Sequence, residues 1–130
     1  MITTSMVLFN KYGIDMHYSI DSSVGKHLEI CDSATLIKDT LTTGNTLKAS
    51  LQALQNIPIQ QCNVIVSVDR MEIGDDAELS ARHEIEKTNR VKIHSIITLD
   101  DIIRAVENGI VGGMEHLDAI KQYRETYGGY

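Results

Sequence analysis

Short apolar runs alternate along this chain with stretches whose apolar positions recur every three or four residues. Ala34 to Asp39 reads as a strand that ends on an acid, and Thr40 to Thr46 is a polar turn containing Gly44. Leu47, Ser50, Leu51 and Leu54 then fall at i, i+3, i+4 and i+7, the spacing of one helix face. Asn45 or Thr46 is a candidate cap for that helix, and Pro58, the only proline, keeps it from continuing. Asn63 to Asp69 is a second strand, rich in the branched residues that a buried parallel strand favours. A loop around Gly74 leads to a helix from about Ala77 to Thr88, with Asp76 as its candidate cap. Val91 to Leu99 is a third strand, and Asp100 is placed to cap a helix carrying Ile102, Ile103 and Val106. Gly109, Gly112 and Gly113 break that helix, and a last one runs from about Met114 to Thr126. Strand and helix in strict alternation imply parallel strands joined by right-handed crossovers, with helices on both faces.

The first 33 residues follow no such rhythm. Val7 to Asn10 looks like another strand, while Lys11 to Gly25 has no clean period and reads as an exposed loop or hairpin. The whole chain is therefore expected to be one α/β domain, residues 1–130, with a divergent leading region (1–33) and a core (34–130).

Composition adjusts this picture only at the margins. An apolar fraction of 42% suits a folded domain, and with no Trp and one Phe the packing must be mostly aliphatic. A net charge of −6 argues against a general nucleic-acid surface. No apolar run is long enough for a membrane span, and nothing at the N-terminus resembles a signal sequence, so the cytoplasm is the expected location. Cys31 and Cys62 form no CxxC pair and read as reduced thiols. His27, His83, His94 and His116 do not cluster at metal-ligand spacing, and no protein-built metal site is expected.

In open α/β sheets ligands sit beyond the carboxyl ends of the strands, which is where the turn after Asp39 must lie. Its small and hydroxyl residues let the backbone wrap an anion, Gly44 permits a positive φ, and the following helix offers free N–H groups. An ordinary capped turn is the competing reading of the same residues.

Ala34 to Thr46 resembles the phosphoribosyl pyrophosphate motif of type I phosphoribosyltransferases: an apolar strand, two acids, two variable residues, then a hydroxyl- and glycine-containing turn. Ser67-Val68-Asp69-Arg70-Met71-Glu72-Ile73-Gly74 is similar to a segment of the orotate phosphoribosyltransferases within that group. Ile93 to Leu99 and Gln122-Tyr123-Arg124-Glu125-Thr126-Tyr127-Gly128 extend the likeness to the end of the chain. The resemblance implies a reduced type I phosphoribosyltransferase fold. It also implies the conversion of orotate and phosphoribosyl pyrophosphate to orotidine 5′-phosphate and pyrophosphate in UMP biosynthesis, with Mg²⁺ bound alongside substrate.

By that carry-over Lys38, Asp39, Thr40, Leu41, Thr42, Thr43, Gly44, Asn45 and Thr46 bind phosphoribosyl pyrophosphate, and Thr42 and Arg70 contact orotate. Lys38 stands where the family has its first acid. Phe9 to His17 aligns with the family's cationic lid loop, keeping Phe9, Asn10 and His17, with Lys11 in place of an Arg. Tyr12 and Asp15 replace its two lysines. Asp39, His17 and Lys11 are thus the implied catalytic residues. Three readings remain open: a part that needs a missing N-terminal fragment in trans, a non-catalytic paralogue that binds nucleotide or dimerises, and a chain active alone. The unpaired sheet edge left by the missing part implies a homodimer or a partner fragment.

Overall fold

The computed structural model describes residues 18–19, 23–24, 33–55, 60–75 and 79–129. The Val7–Asn10 strand, the lid residues Lys11 and His17, Cys31, Pro58 and the Asp76 cap lie outside them. Two short strands, β1 (Tyr18–Ser19) and β2 (Ser23–Val24), pair antiparallel inside the stretch expected to be a loop or hairpin.

The main sheet is parallel, with strand order β3 (Ser33–Leu41), β4 (Gln61–Asp69), β5 (Lys92–Thr98). Crossovers carry α1 (Asn45–Leu54) and α2 (Ala81–Asn89) between them, and α3 (Leu99–Glu107), a 3₁₀ turn (Met114–His116) and α4 (Leu117–Tyr127) follow. The three expected strands and four expected helices are all present.

Burial follows the periodicity. Leu47 and Leu51 of α1 and Ile85 of α2 close over Val64, Val66 and Ile93, with Leu41 completing the cluster. The opposite face of the sheet is more open. Ile37 and Ile65 are cross-strand partners there and remain 44% and 36% exposed.

Helix starts are where expectation and structure part. The residue before α1 is Gly44, in the left-handed region at φ 84° and with no side-chain cap, so neither Asn45 nor Thr46 serves. Helix α2 begins later than expected, at Ala81, because Ile73 bridges to Ser80 and the Ala81 N–H donates to the Glu72 carbonyl. Its cap is Ser80, whose hydroxyl accepts the His83 N–H. Helix α3 is capped by Thr98 rather than Asp100: Thr98 and Asp101 exchange hydrogen bonds in a capping box. Those bonds hold the Asp101 carboxyl down to a pKa of about 2.

Side chains of α2 cap the outer edge of β5 at Ile93. Glu86 accepts the Ile93 N–H at 2.8 Å, and Arg82 donates to the Ile93 carbonyl at 2.7 Å and to Ser95 Oγ at 3.3 Å. Among the described residues, β3 pairs with β4 alone.

Candidate functional site

Parallel strands place their carboxyl ends on one rim, so the loops after β3 and β4 must be neighbours. A backbone hydrogen bond joins them: the Arg70 N–H donates to the Leu41 carbonyl at 3.0 Å. That bond sets Arg70 beside the start of the glycine loop. Thr40 and Leu41, expected in the turn, instead end β3, and the turn proper is residues 42–44.

Thr42 is half-buried and Thr43 exposed, and among the described residues neither hydroxyl has a hydrogen-bond partner. Gly44 is buried. A Cβ there would come within 2.4 Å of Ile85 Cδ1, so the position needs glycine for space as well as for φ. The Gly44 carbonyl starts the helix by accepting the Lys48 N–H at 2.8 Å. With Asn45 as its first residue, α1 points the uncommitted N–H groups of its first turn at this rim. The Lys48 side chain turns away from the loop, to Asp75 at 2.7 Å and Glu84 at 2.6 Å. Partial burial opposes its charge, but these two partners still hold its ammonium above the ordinary range.

Ile37, Lys38, Asp39 and Ser67 line a groove of about 370 Å³ at this end of the sheet. Asp39 is exposed, and its Oδ1 accepts the Thr40 N–H at 2.7 Å. Lys38 is half-buried and makes no ion pair with any described residue. Mg²⁺ commonly binds through one or two carboxylates plus substrate oxygens. Asp39 supplies one such carboxylate, so the groove fits the ion in its minimal form, with the Lys38 ammonium lining the same space. Among the described residues no group of three His, Cys, Asp or Glu side chains is arranged to hold a metal by itself.

The second loop is built differently. Asp69 is buried, and its carboxylate accepts the Met71 N–H at 2.8 Å, holding Met71 at φ 56°. Burial raises the Asp69 pKa, against the opposing pull of that N–H and of Arg82. The tight turn presents Arg70 with its side chain about 40% exposed. Arg70 Nε pairs with Glu72 at 3.0 Å, Nη2 donates to the Tyr123 hydroxyl, and that hydroxyl donates to Glu72. The Tyr123 ring lies 4.9 Å from the guanidinium carbon. Burial, and then Glu72, raise the Tyr123 pKa.

The end of the chain clamps this loop. The Ile73 N–H donates to the Tyr127 carbonyl at 2.8 Å, and the Gly129 N–H to the Met71 carbonyl at 2.9 Å. A Cβ on Gly129 would sit 2.7 Å from the Ser80 backbone.

The structure therefore brings Lys38, Asp39, residues 40–46 and Arg70 to one rim. Sequence reasoning missed Tyr123, Glu72 and the terminal glycines as parts of the site. Nothing in the spacing announces a hydroxyl 53 residues away from Arg70.

No family model matches the chain. It is 32% identical to the orotate phosphoribosyltransferase of Photorhabdus laumondii over 97% of its length and 62% of that relative's. It is 34% identical to that of Shigella dysenteriae over the same shares. The chain thus spans about three-fifths of the curated relatives it matches. Its structure superposes on crystalline orotate phosphoribosyltransferase from Francisella tularensis with a TM-score of 0.71 at 29% identity, covering 98% of this chain and 63% of that one. Leishmania donovani UMP synthase shares the fold, with a TM-score of 0.72 at 13% identity over 94% of this chain and 26% of that one. The chain resembles the C-terminal portion of the orotate phosphoribosyltransferases, and its fold is a reduced type I phosphoribosyltransferase fold. No helix among the described residues is long and apolar enough to cross a membrane.

Proposed function

We propose that this chain carries the phosphoribosyl and orotate subsites of an orotate phosphoribosyltransferase and needs a separate N-terminal part to complete the enzyme. The observation that carries this reading is the Arg70–Leu41 backbone bond, which sets a carboxylate-binding guanidinium beside an anion-binding glycine loop. Residues 42–46 and the start of α1 hold the 5-phosphate, and Asp39 faces the ribose hydroxyls. Arg70 and Thr42 hold orotate, whose carboxylate suits a planar guanidinium.

In the reaction orotate N1 attacks the anomeric carbon as the bond to pyrophosphate breaks, so catalysis is mostly positioning and charge stabilisation. Asp39 is the residue that would hold Mg²⁺ together with substrate oxygens, and the ion would supply charge neutralisation at the pyrophosphate. Lys11 and His17 are the lid residues that remain to cover it. The setting is cytoplasmic pyrimidine biosynthesis, and the working form is a homodimer or a pair with the N-terminal fragment.

The test is orotidine 5′-phosphate formation from both substrates and Mg²⁺, with and without an added N-terminal fragment. Activity only with the fragment is the expected result, and no activity in either mixture overturns the enzymatic reading. Lys38 favours one rival, a non-catalytic nucleotide-binding paralogue, because it brings a cation to the place where the metal complex sits. Tight orotidine 5′-phosphate binding without turnover in either mixture would establish that rival.

A further inference from the structure

Arg70 is a flexible side chain with five donors, and a carboxylate ligand is recognised well only if its fork is fixed before the ligand arrives. Two groups fix it here. Glu72, with a side chain only 13% exposed, takes Nε, and Tyr123 takes Nη2 while donating its own proton to the same carboxylate. The three groups form a closed ring of hydrogen bonds on one side of the guanidinium. Among the described residues Nη1 and the second Nη2 hydrogen have no partner, and they form the end of the fork that binds carboxylates in bidentate fashion.

Tyr123 is well supported for this task. Its ring packs against Tyr127 at a centroid distance of 4.9 Å, tilted by 46°. Helix α4 is tied to the Arg70 loop by the Ile73–Tyr127 backbone bond and to α3 by Arg124, whose Nε donates to Asp100 at 3.0 Å. The hydroxyl therefore comes from a firmly anchored element and reaches a loop that would otherwise hold its cation by one ion pair.

We infer that Tyr123 is a positioning residue for the orotate subsite: its hydroxyl orients the Arg70 guanidinium and keeps Glu72 from closing over it. The inference rests on the proposed role of Arg70. Losing the hydroxyl leaves Glu72 one donor short, so the carboxylate draws more tightly on Arg70 and competes with the ligand's own carboxylate. The ring of Phe would preserve the contacts with the guanidinium and with Tyr127, which makes Tyr123→Phe a change to the hydrogen bonds and not to the packing.

The experiment titrates the full chain, Tyr123→Phe and Arg70→Ala with two ligands. Orotidine 5′-phosphate spans both subsites, and ribose 5-phosphate fills the glycine loop alone. Tyr123→Phe is expected to weaken orotidine 5′-phosphate about tenfold to a hundredfold, as loss of hydrogen bonds to charged groups does, and to leave ribose 5-phosphate unchanged. Arg70→Ala should weaken the nucleotide further with the same selectivity.

If Arg70→Ala leaves the nucleotide affinity unchanged, or the parent chain binds neither ligand, the role of Arg70 fails and the inference with it. If Arg70→Ala weakens the nucleotide and Tyr123→Phe does not, the inference alone is overturned. Equal loss for both ligands in Tyr123→Phe would mark the tyrosine as general support for the fold and also overturn it. A ligand-free measurement stands beside these: the Arg70 side-chain ¹⁵N resonances should show slowed guanidinium rotation in the parent and faster rotation in Tyr123→Phe. Identical resonances in the two proteins would overturn the inference whatever the ligands do.

Discussion

The two loops of the site achieve rigidity in opposite ways. The loop after β3 is bare: among the described residues its threonine hydroxyls have no partner, its shape comes from one glycine at φ 84°, and a Cβ on that glycine would run into Ile85 of the core. The loop after β4 is laced by side chains, with Asp69 folded onto Met71, Glu72 and Tyr123 on Arg70, and the chain terminus pinned across it. A site that binds a phosphate through backbone N–H groups must keep side chains out of the way. A site that binds through one long cation must surround it with partners. The two designs therefore predict different sensitivities to mutation.

The bare loop should fail most abruptly. Gly44→Val is expected to abolish ribose 5-phosphate binding, a loss beyond about a hundredfold, and to cost about 2–4 kcal/mol of stability from the strained φ and the collision with Ile85. Pairing it with Ile85→Ala relieves the collision and leaves the φ. If the pair recovers stability but not binding, as read by thermal melting and calorimetry, the conformation of the loop is what holds the phosphate. Recovery of both would mean the loop was only displaced.

Lys38→Asp comes next. It should tighten Mg²⁺-dependent phosphoribosyl pyrophosphate binding about tenfold to a hundredfold, since like-charge repulsion near 4 Å in a partly solvated site gives way to attraction. Metal-free phosphate binding should stay the same or weaken. Calorimetry with and without Mg²⁺ separates the two, and an unaltered Mg²⁺ dependence would show that Lys38 does not meet the ligand.

Deleting residues 128–130 tests the laced loop. It removes the Gly129–Met71 bond, the Arg124–Gly129 bond and the Glu72–Gly128 bridge and should cost about 1–3 kcal/mol, with faster amide exchange at Ile73 and Gly74 and unchanged exchange in α1. Exchange that rises equally in α1 would erase the distinction between the loops.

The smallest effect is a pH dependence. Burial raises the folded-state pKa of Asp69, so its contribution to stability is fully present below the unfolded value near 3.9 and is lost as pH rises through the folded value. Asp69→Asn keeps an acceptor for the Met71 N–H without the buried charge. Its stability relative to the parent should therefore improve as pH rises from about 4, and denaturant melts across that range would show a flat difference if burial is not the cause.

Much of the architecture was legible in the chain because it depends on local periodicity. Val64, Val66 and Ile93 fall on strand patterns, and Leu47 and Leu51 on a helix pattern, and all are buried. The rim location of Asp39, Gly44 and Arg70 followed from topology. Helix starts did not follow, since Ser80 and Thr98 win as caps through backbone bonds to Glu72 and within the Thr98–Asp101 box that a list of candidate residues does not contain. Tyr123 was illegible for a related reason. Its partners Arg70 and Glu72 are near it only after the terminal helix has docked, and no spacing rule reports on docking.

The seal that Arg82 and Glu86 place over Ile93 has a consequence for how copies of this sheet can meet. A sheet with two bare edges can add strands without end, which is the geometry of fibres. Here the outward N–H and carbonyl of Ile93 in β5 are already occupied, while among the described residues β3 has no second neighbour. A strand arriving along β5 meets an arginine and a glutamate at Ile93 in place of free backbone groups, and the same Arg82 also lies 3.9 Å from Asp69 of the ligand loop, so one side chain serves both the sheet edge and the site.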